Sequence, residues 1–129
     1  MRNVLKLVAI VLLFQSFQCE DQINEKTRNE YIEELKRDKQ IIKDYIASFP
    51  CDALIGCNTI AFGSKPCGGP WEYLVFSNAV DLDYLTRKVT DYNLLESAYN
   101  SEFTIVSDCA VVNPPTNIGC VNGVCAIIP

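Results

Sequence analysis

The chain has 129 residues, of which 49% are hydrophobic, and it carries 16 acidic against 11 basic side chains, for a formal charge of −5. This length fits one domain, and an acidic chain without a basic block is a poor candidate for binding nucleic acid. The absence of histidine excludes Ser-His-Asp and Cys-His catalysis and His-ligated metal sites within this sequence. Seven cysteines, one near the start and six after residue 50, are its most informative feature.

Residues 1–18 are predicted to be a lipoprotein-type signal peptide. Arg2 and Lys6 flank the start of an apolar run of about eight residues, the length of a signal-peptide core and far below the roughly 20 that span a bilayer. The residues that follow, Ser-Phe-Gln-Cys at 16–19, resemble a lipobox, which marks its cysteine for lipid attachment. We therefore expect a lipid such as palmitate on Cys19, which would anchor an exported protein to the bacterial outer membrane. Simple secretion is the alternative.

A short polar tether, residues 19–27, is expected to lead into a single domain at 28–129. Thr27 and Glu30 have the spacing of a capping box, and apolar residues recur at helical intervals up to about Ser48, before Pro50. Residues 50–71 are rich in proline, glycine and cysteine, so they are predicted to form an irregular loop. Residues 72–77 are aromatic and β-branched, and are predicted to form a central strand covered on both faces.

Asp81 is a good N-cap for a second helix, whose apolar stripe runs from residue 82 to 99. An extended segment is predicted at 103–112. Apolar residues then flank Asn122 and Gly123, the strongest short signal for a β-hairpin. The predicted fold is α+β, with a small antiparallel sheet that includes this hairpin and two helices packed on one side.

Six downstream cysteines are expected to form three disulfides, which fits an exported domain with a modest core. Residues 120 and 125 should be directly opposed in the hairpin, so Cys120–Cys125 is the preferred pair. Cys57–Cys67 with Cys51–Cys109 is a weaker preference for the other four. A zinc site formed by Cys51, Cys57, Cys120 and Cys125 is the metal alternative. No cofactor is implied.

Two loops are candidate binding surfaces. One contains Lys65 and Trp71, the only tryptophan, a residue type enriched in binding hot spots. We expect Trp71 to fill the core beside the disulfides, and a binding role for it is the alternative. The other runs from Cys109 through Val111, Asn113, Pro114 and Pro115, and resembles the reactive loop of Bowman–Birk protease inhibitors. That resemblance would place Val111 in a protease specificity pocket, although Val112 replaces a serine and Asn117 a closing cysteine of the pattern.

Carboxylates are plentiful, and two of them could in principle act as a glycosidase pair. Most lie on predicted helix surfaces or caps, where acids are ordinarily solvated. The carboxylates considered are Glu33, Glu34, Asp38, Asp44, Asp81, Asp83 and Asp91.

The string Lys-Pro-Cys-Gly-Gly-Pro-Trp at 65–71, together with the cysteine pattern across 51–125, resembles a group of uncharacterised small exported proteins of Gram-negative bacteria. The resemblance implies an envelope location and a six-cysteine frame, and no activity. We predict a non-enzymatic lipoprotein that binds an unknown protein or envelope ligand. An inhibitor of an extracellular hydrolase, either a protease or a lysozyme, is the alternative, and an enzyme with carboxylate catalysis is the third possibility.

Overall fold

The computed structural model describes residues 25–129. The predicted signal peptide, Cys19 and most of the tether lie outside this range. The fold is α+β, as predicted. Its elements are, in chain order, helix α1 (Arg28–Ala47), strands β1 (Cys57–Phe62) and β2 (Glu72–Ser77), helix α2 (Leu82–Glu102), and strands β3 (Ile118–Val121) and β4 (Val124–Ile127).

The capping box predicted for α1 is confirmed. The Thr27 hydroxyl accepts the amide N–H of Glu30, and the Glu30 carboxylate accepts the amide N–H of Thr27. These two bonds satisfy amides that a helix start leaves unpaired. At α2, the Asp81 carboxylate accepts the N–H of Tyr84 at 2.9 Å, so the predicted N-cap is confirmed as well.

The two helices are antiparallel. Tyr31 near the start of α1 contacts Phe103 just after α2, and Tyr45 near the end of α1 contacts Tyr84 near the start of α2. The core lies between these helices and the β1–β2 pair, where Phe62 stacks on Tyr92 at 4.3 Å. The buried core residues are Leu35, Ile42, Phe62, Leu74, Phe76, Val80, Leu85, Val89 and Tyr92.

The prediction of an irregular loop across 50–71 is wrong for residues 57–62, which form β1. These residues are mostly apolar or β-branched, whereas the prolines and glycines are concentrated at 63–70, in the connection to β2. β1 and β2 pair antiparallel, with Cys57 opposite Ser77 and Phe62 opposite Glu72. Among residues 25–129, β2 pairs with β1 alone, so its predicted central position is also wrong.

The predicted extended segment at 103–112 forms no strand, because α2 continues to Glu102 and the chain is irregular from there to residue 117. The C-terminal hairpin is confirmed. Asn122 and Gly123 both have positive φ, at 52° and 81°, as its tight turn requires. The hairpin forms its own two-stranded sheet, in which Cys120 is opposite Cys125.

The predicted disulfide pairing is wrong although the hairpin register is right. The pairs are Cys51–Cys120, Cys57–Cys125 and Cys67–Cys109, with Cα–Cα distances of 5.7, 5.8 and 5.4 Å. Directly opposed residues project from the same face of a sheet, and this face of the hairpin meets residues 51 and 57. Cys57 and Cys67 lie at opposite ends of one strand, because Cys57 begins β1 and Cys67 lies in the connection that follows its end.

Three disulfides in a chain of this size indicate an oxidising, extracytoplasmic environment. Between residues 25 and 129, no helix combines the length and the apolar character that crossing a bilayer requires.

Candidate functional site

The connection between β1 and β2, residues 63–71, is hydrogen-bonded to side chains on one face of α2. The Asn93 side chain accepts the N–H of Gly63 at 2.8 Å, and the Glu96 carboxylate accepts the N–H of Ser64 at 2.5 Å. Asn100, which is buried, donates its amide N–H to the Ser64 carbonyl at 2.6 Å. Three polar side chains of α2 therefore fix the start of this loop.

The Glu96 carboxyl has an unusual environment. Burial raises its pKa, and the negative charge of Glu72 adds to the rise, whereas the Ser64 N–H, Lys39 and the Tyr92 hydroxyl act in the opposite direction. Burial and the Glu96 charge in turn raise the pKa of Tyr92. Lys39 links α1 to β2 through an ion pair with Glu72 at 2.7 Å. The same Glu96 carboxyl, through its bond from the Ser64 N–H, positions the start of the loop.

Lys65 is buried, with only 6% of its surface exposed. Its Nζ donates to the Ala110 carbonyl at 2.7 Å and to the Asp108 carboxylate at 3.3 Å. The Ala110 N–H and the Lys65 ammonium together lower the pKa of Asp108. Lys65 therefore joins the 63–71 loop to the segment after α2, and its ammonium is enclosed by this chain's own groups.

The Cys67–Cys109 disulfide makes the same connection covalently, a few residues from Lys65. The Cys67 Sγ also lies 3.3 Å from the Ser107 hydroxyl. The two loops named as candidates in the sequence are thus brought together into one surface, which we call the double loop and define as residues 63–71 and 103–117.

Trp71 lies on the double loop and is 39% exposed, so it does not fill the core. The Lys65 ammonium is 5.1 Å from the centre of its ring. The ring also lies against Gly63, where an added Cβ would be 2.7 Å from the Trp71 Cδ1. The indole is supported on one side and open to solvent on the other.

Val111 is 84% exposed. Asn113, Pro114 and Thr116 are exposed beside it, and Pro115 is half-buried. The segment is held before Val111 by the Cys109 disulfide and the Lys65 bond to Ala110.

The segment is held on its other side by Asn117. The Asn117 carbonyl accepts the N–H of Ile128 at 2.9 Å, and its side chain donates to the Ile128 carbonyl at 3.1 Å. The exposed residues from Val111 to Thr116 are therefore anchored at both ends.

The four cysteines of the zinc alternative do come together. The Sγ atoms of Cys51, Cys57 and Cys125 lie within 4.8 Å of one another. They are engaged in two neighbouring disulfides, and a disulfide sulfur lacks the thiolate charge that zinc binding requires. We assign this cluster to covalent bracing of the hairpin.

The acids singled out in the sequence are mostly dispersed over the two helices. Asp38 and Asp91 line a cleft of about 100 Å³ between α1 and α2 together with Lys88. Asp81 caps α2, and Glu33 and Glu34 pair with basic residues of α1 or just before it. Asn93, Glu96 and Asn100 were not predicted as site residues. Their spacing of three and four residues, which places them on one side of α2, was the available signal.

No family model, no curated protein and no solved structure matches this chain.

Proposed function

We propose that this chain is a non-enzymatic lipoprotein of the bacterial cell envelope whose double loop binds a protein partner. The observation that carries the proposal is the Val111 segment, which is exposed and anchored at both ends. A loop that is already held in place loses little conformational entropy on binding, so its contacts contribute more fully to affinity.

The composition of the segment indicates the kind of partner. After Asp108 the sequence contains no charged side chain, and the double loop exposes Val106, Val111 and part of Trp71. Asp108 is the exposed charge of the double loop, and it is paired with Lys65. The segment that follows it is uncharged and partly apolar, and together with an exposed tryptophan it is typical of the core of a protein–protein interface. The partner's matching surface should be apolar, with hydrogen-bonding groups for Asn113 and the free backbone of the loop.

The test is site-specific photo-crosslinking in intact cells that produce the full chain. A photoreactive residue at position 111 is expected to give a discrete adduct with another protein. The matched control is position 94, where Leu94 is 65% exposed on α2. The same adducts from both positions, or none from position 111, would contradict the proposal.

The lipid anchor is tested separately. Metabolic labelling with an alkyne fatty acid should mark the wild-type chain and not Cys19→Ala. Equal labelling of the two, or no labelling of either, would exclude lipid at Cys19 and leave simple secretion.

A protease inhibitor is the second candidate, and the anchored Val111 segment favours it specifically. A valine in a protease specificity pocket fits the small pocket of elastase-type enzymes, whereas trypsin-type enzymes select a basic residue. We expect inhibition of the elastase type only, and Val111→Lys should transfer inhibition to the trypsin type. If neither protein inhibits either enzyme, the segment does not act as a reactive loop.

A further inference from the structure

The seven residues from Cys51 to Cys57, here called the cystine loop, lead into β1 at its start, whereas residues 63–71 of the double loop follow its end. Each end is bonded to a different strand of the C-terminal hairpin, through Cys51–Cys120 and Cys57–Cys125. Disulfides at both ends restrict the motion of this loop far more than a surface turn of this length would otherwise be restricted.

The interior of the cystine loop is also fixed. The Asp52 Oδ1 accepts the N–H groups of Leu54 and Ile55, each at 2.8 Å, and the Asp52 carbonyl accepts the N–H of Gly56 at 3.1 Å. Leu54 stands at the outside of this turn and is 95% exposed. The turn fixes the backbone of Leu54, whereas its side chain makes little contact with the rest of residues 25–129.

An apolar groove lies beside the cystine loop. It has a volume of about 160 Å³ and is enclosed by the end of α1, by β2 and by the hairpin. Apolar cavities of about this size take up a molecule as large as benzene, so the groove has room for one leucine side chain. Its apolar side chains include Ile46, Phe49, Leu74, Phe76 and Val124.

The groove and Leu54 adjoin one another through the turn of the hairpin. Gly123, which lines the groove, accepts the N–H of Cys51 at 3.0 Å. Cys125, which also lines the groove, is bonded to Cys57. The cystine loop and the groove, here together called the patch, are therefore both attached to the turn of the hairpin. A chain that offers both a protruding side chain and a groove can form a two-fold symmetric interface, in which each copy supplies both.

The charges of the patch are complementary. Lys43 lies at the groove and forms none of the ion pairs found among residues 25–129. Asp52 lies two residues from Leu54. If Leu54 enters the groove of another molecule, Asp52 of that leucine's own chain comes close to Lys43 at the groove. Opposite charges placed in this way direct two patches into register.

We propose that this patch binds a second copy of the chain in a two-fold symmetric dimer, with Leu54 of each copy in the groove of the other. The residues of the patch are not part of the double loop, so dimer formation does not depend on the proposed partner binding. Two copies would present two double loops on one particle, and paired surfaces raise the overall affinity for a multivalent partner.

The test uses the full chain, produced in one cell with two different C-terminal affinity tags. Purification through one tag should recover the other. Leu54→Asp and Lys43→Glu should each lower the recovered fraction by roughly tenfold or more, the effect expected for an interface hot spot. The exposed controls Leu94→Asp and Arg87→Glu should leave it unchanged, and an unchanged melting temperature shows that each variant is folded.

A photoreactive residue at position 54 identifies the occupant of the groove. The proposal predicts an adduct of twice the chain mass, linked to residues 43–49, 74–77 or 123–125. An adduct with another protein or with lipid overturns it, as does the absence of any adduct. Recovery of the second tag that survives Leu54→Asp also overturns it, because shared detergent micelles would then explain the association.

Discussion

Gly63 and Gly68 show how one residue type serves two purposes in the same loop. Both have strongly positive φ, at 87° and 91°, but only Gly63 lies against another side chain, that of Trp71. Gly68→Ala should cost about 1 kcal/mol of stability, the cost of a left-handed conformation with a Cβ. Gly63→Ala should cost about 2–4 kcal/mol, because the Trp71 ring must also move. Urea unfolding of the two variants checks this, and equal costs would show that the Trp71 contact is unimportant.

Glu96 gives a prediction about pH. Burial raises its pKa above the ordinary value of 4.5, so the folded chain holds this proton more tightly than the unfolded chain. The contribution of Glu96 to stability is therefore largest at low pH and decreases as the pH rises through its folded pKa. Glu96→Gln removes this titration and keeps an oxygen that can accept the Ser64 N–H.

The measurement is the free energy of unfolding of wild type and Glu96→Gln between about pH 4 and pH 7. The variant should gain stability relative to wild type as the pH rises. Carboxyls with lowered pKa, such as Asp108 and Glu30, have the opposite dependence, but they are common to both proteins and cancel in the difference. A difference that stays constant with pH would contradict the account of Glu96.

At the scale of the elements, local sequence signals correctly predicted the helix caps and the hairpin turn, because these features are determined by residues close together in the chain. The Thr27 capping box, the Asp81 cap and the Asn122–Gly123 turn depend on residues within a few positions of each other. The disulfides depend on how separate elements meet, which local pattern does not specify. The disulfide prediction failed because β1 was not predicted. That strand places Cys57 at the hairpin and away from Cys67.

The Cys67–Cys109 disulfide is the element that joins the two halves of the double loop. Replacing both cysteines with serine should lower stability by about 2–4 kcal/mol, since the bond closes a long segment that includes α2. Hydrogen exchange should become faster at residues 104–112 and stay unchanged in β3 and β4, which retain their own disulfides. Unchanged exchange at 104–112 would mean that the Lys65 bonds to Ala110 and Asp108 suffice to hold the segment.

At the scale of the whole molecule, the start of the described chain and the C-terminal hairpin lie at opposite ends of α1. Residue 25 precedes α1 at the end where Tyr31 meets Phe103, whereas the hairpin adjoins Phe49 at the other end of a helix of 20 residues. Such a helix is about 30 Å long. A chain held at Cys19 would therefore direct the cystine loop away from its anchor, in a position to meet a second copy.

The candidate site was predicted in part. The sequence placed Lys65 and Trp71 on one candidate binding loop and the Val111 segment on another, and it did not indicate that the two loops are joined. Lys65 proved to be buried, because the path of residues 105–111 brings the Ala110 carbonyl to its ammonium. That path depends on the Cys67–Cys109 pairing, which the sequence did not indicate.

The most direct test of the proposed function compares what immobilised wild type, Val111→Asp and Leu94→Asp capture from an envelope extract. All three should melt at the same temperature, because both positions are largely exposed. Wild type and Leu94→Asp should capture the same protein, and Val111→Asp should lose it, since a charge would be placed at the centre of an apolar contact. Capture of the same set by all three proteins would contradict the claim that the double loop is the binding surface.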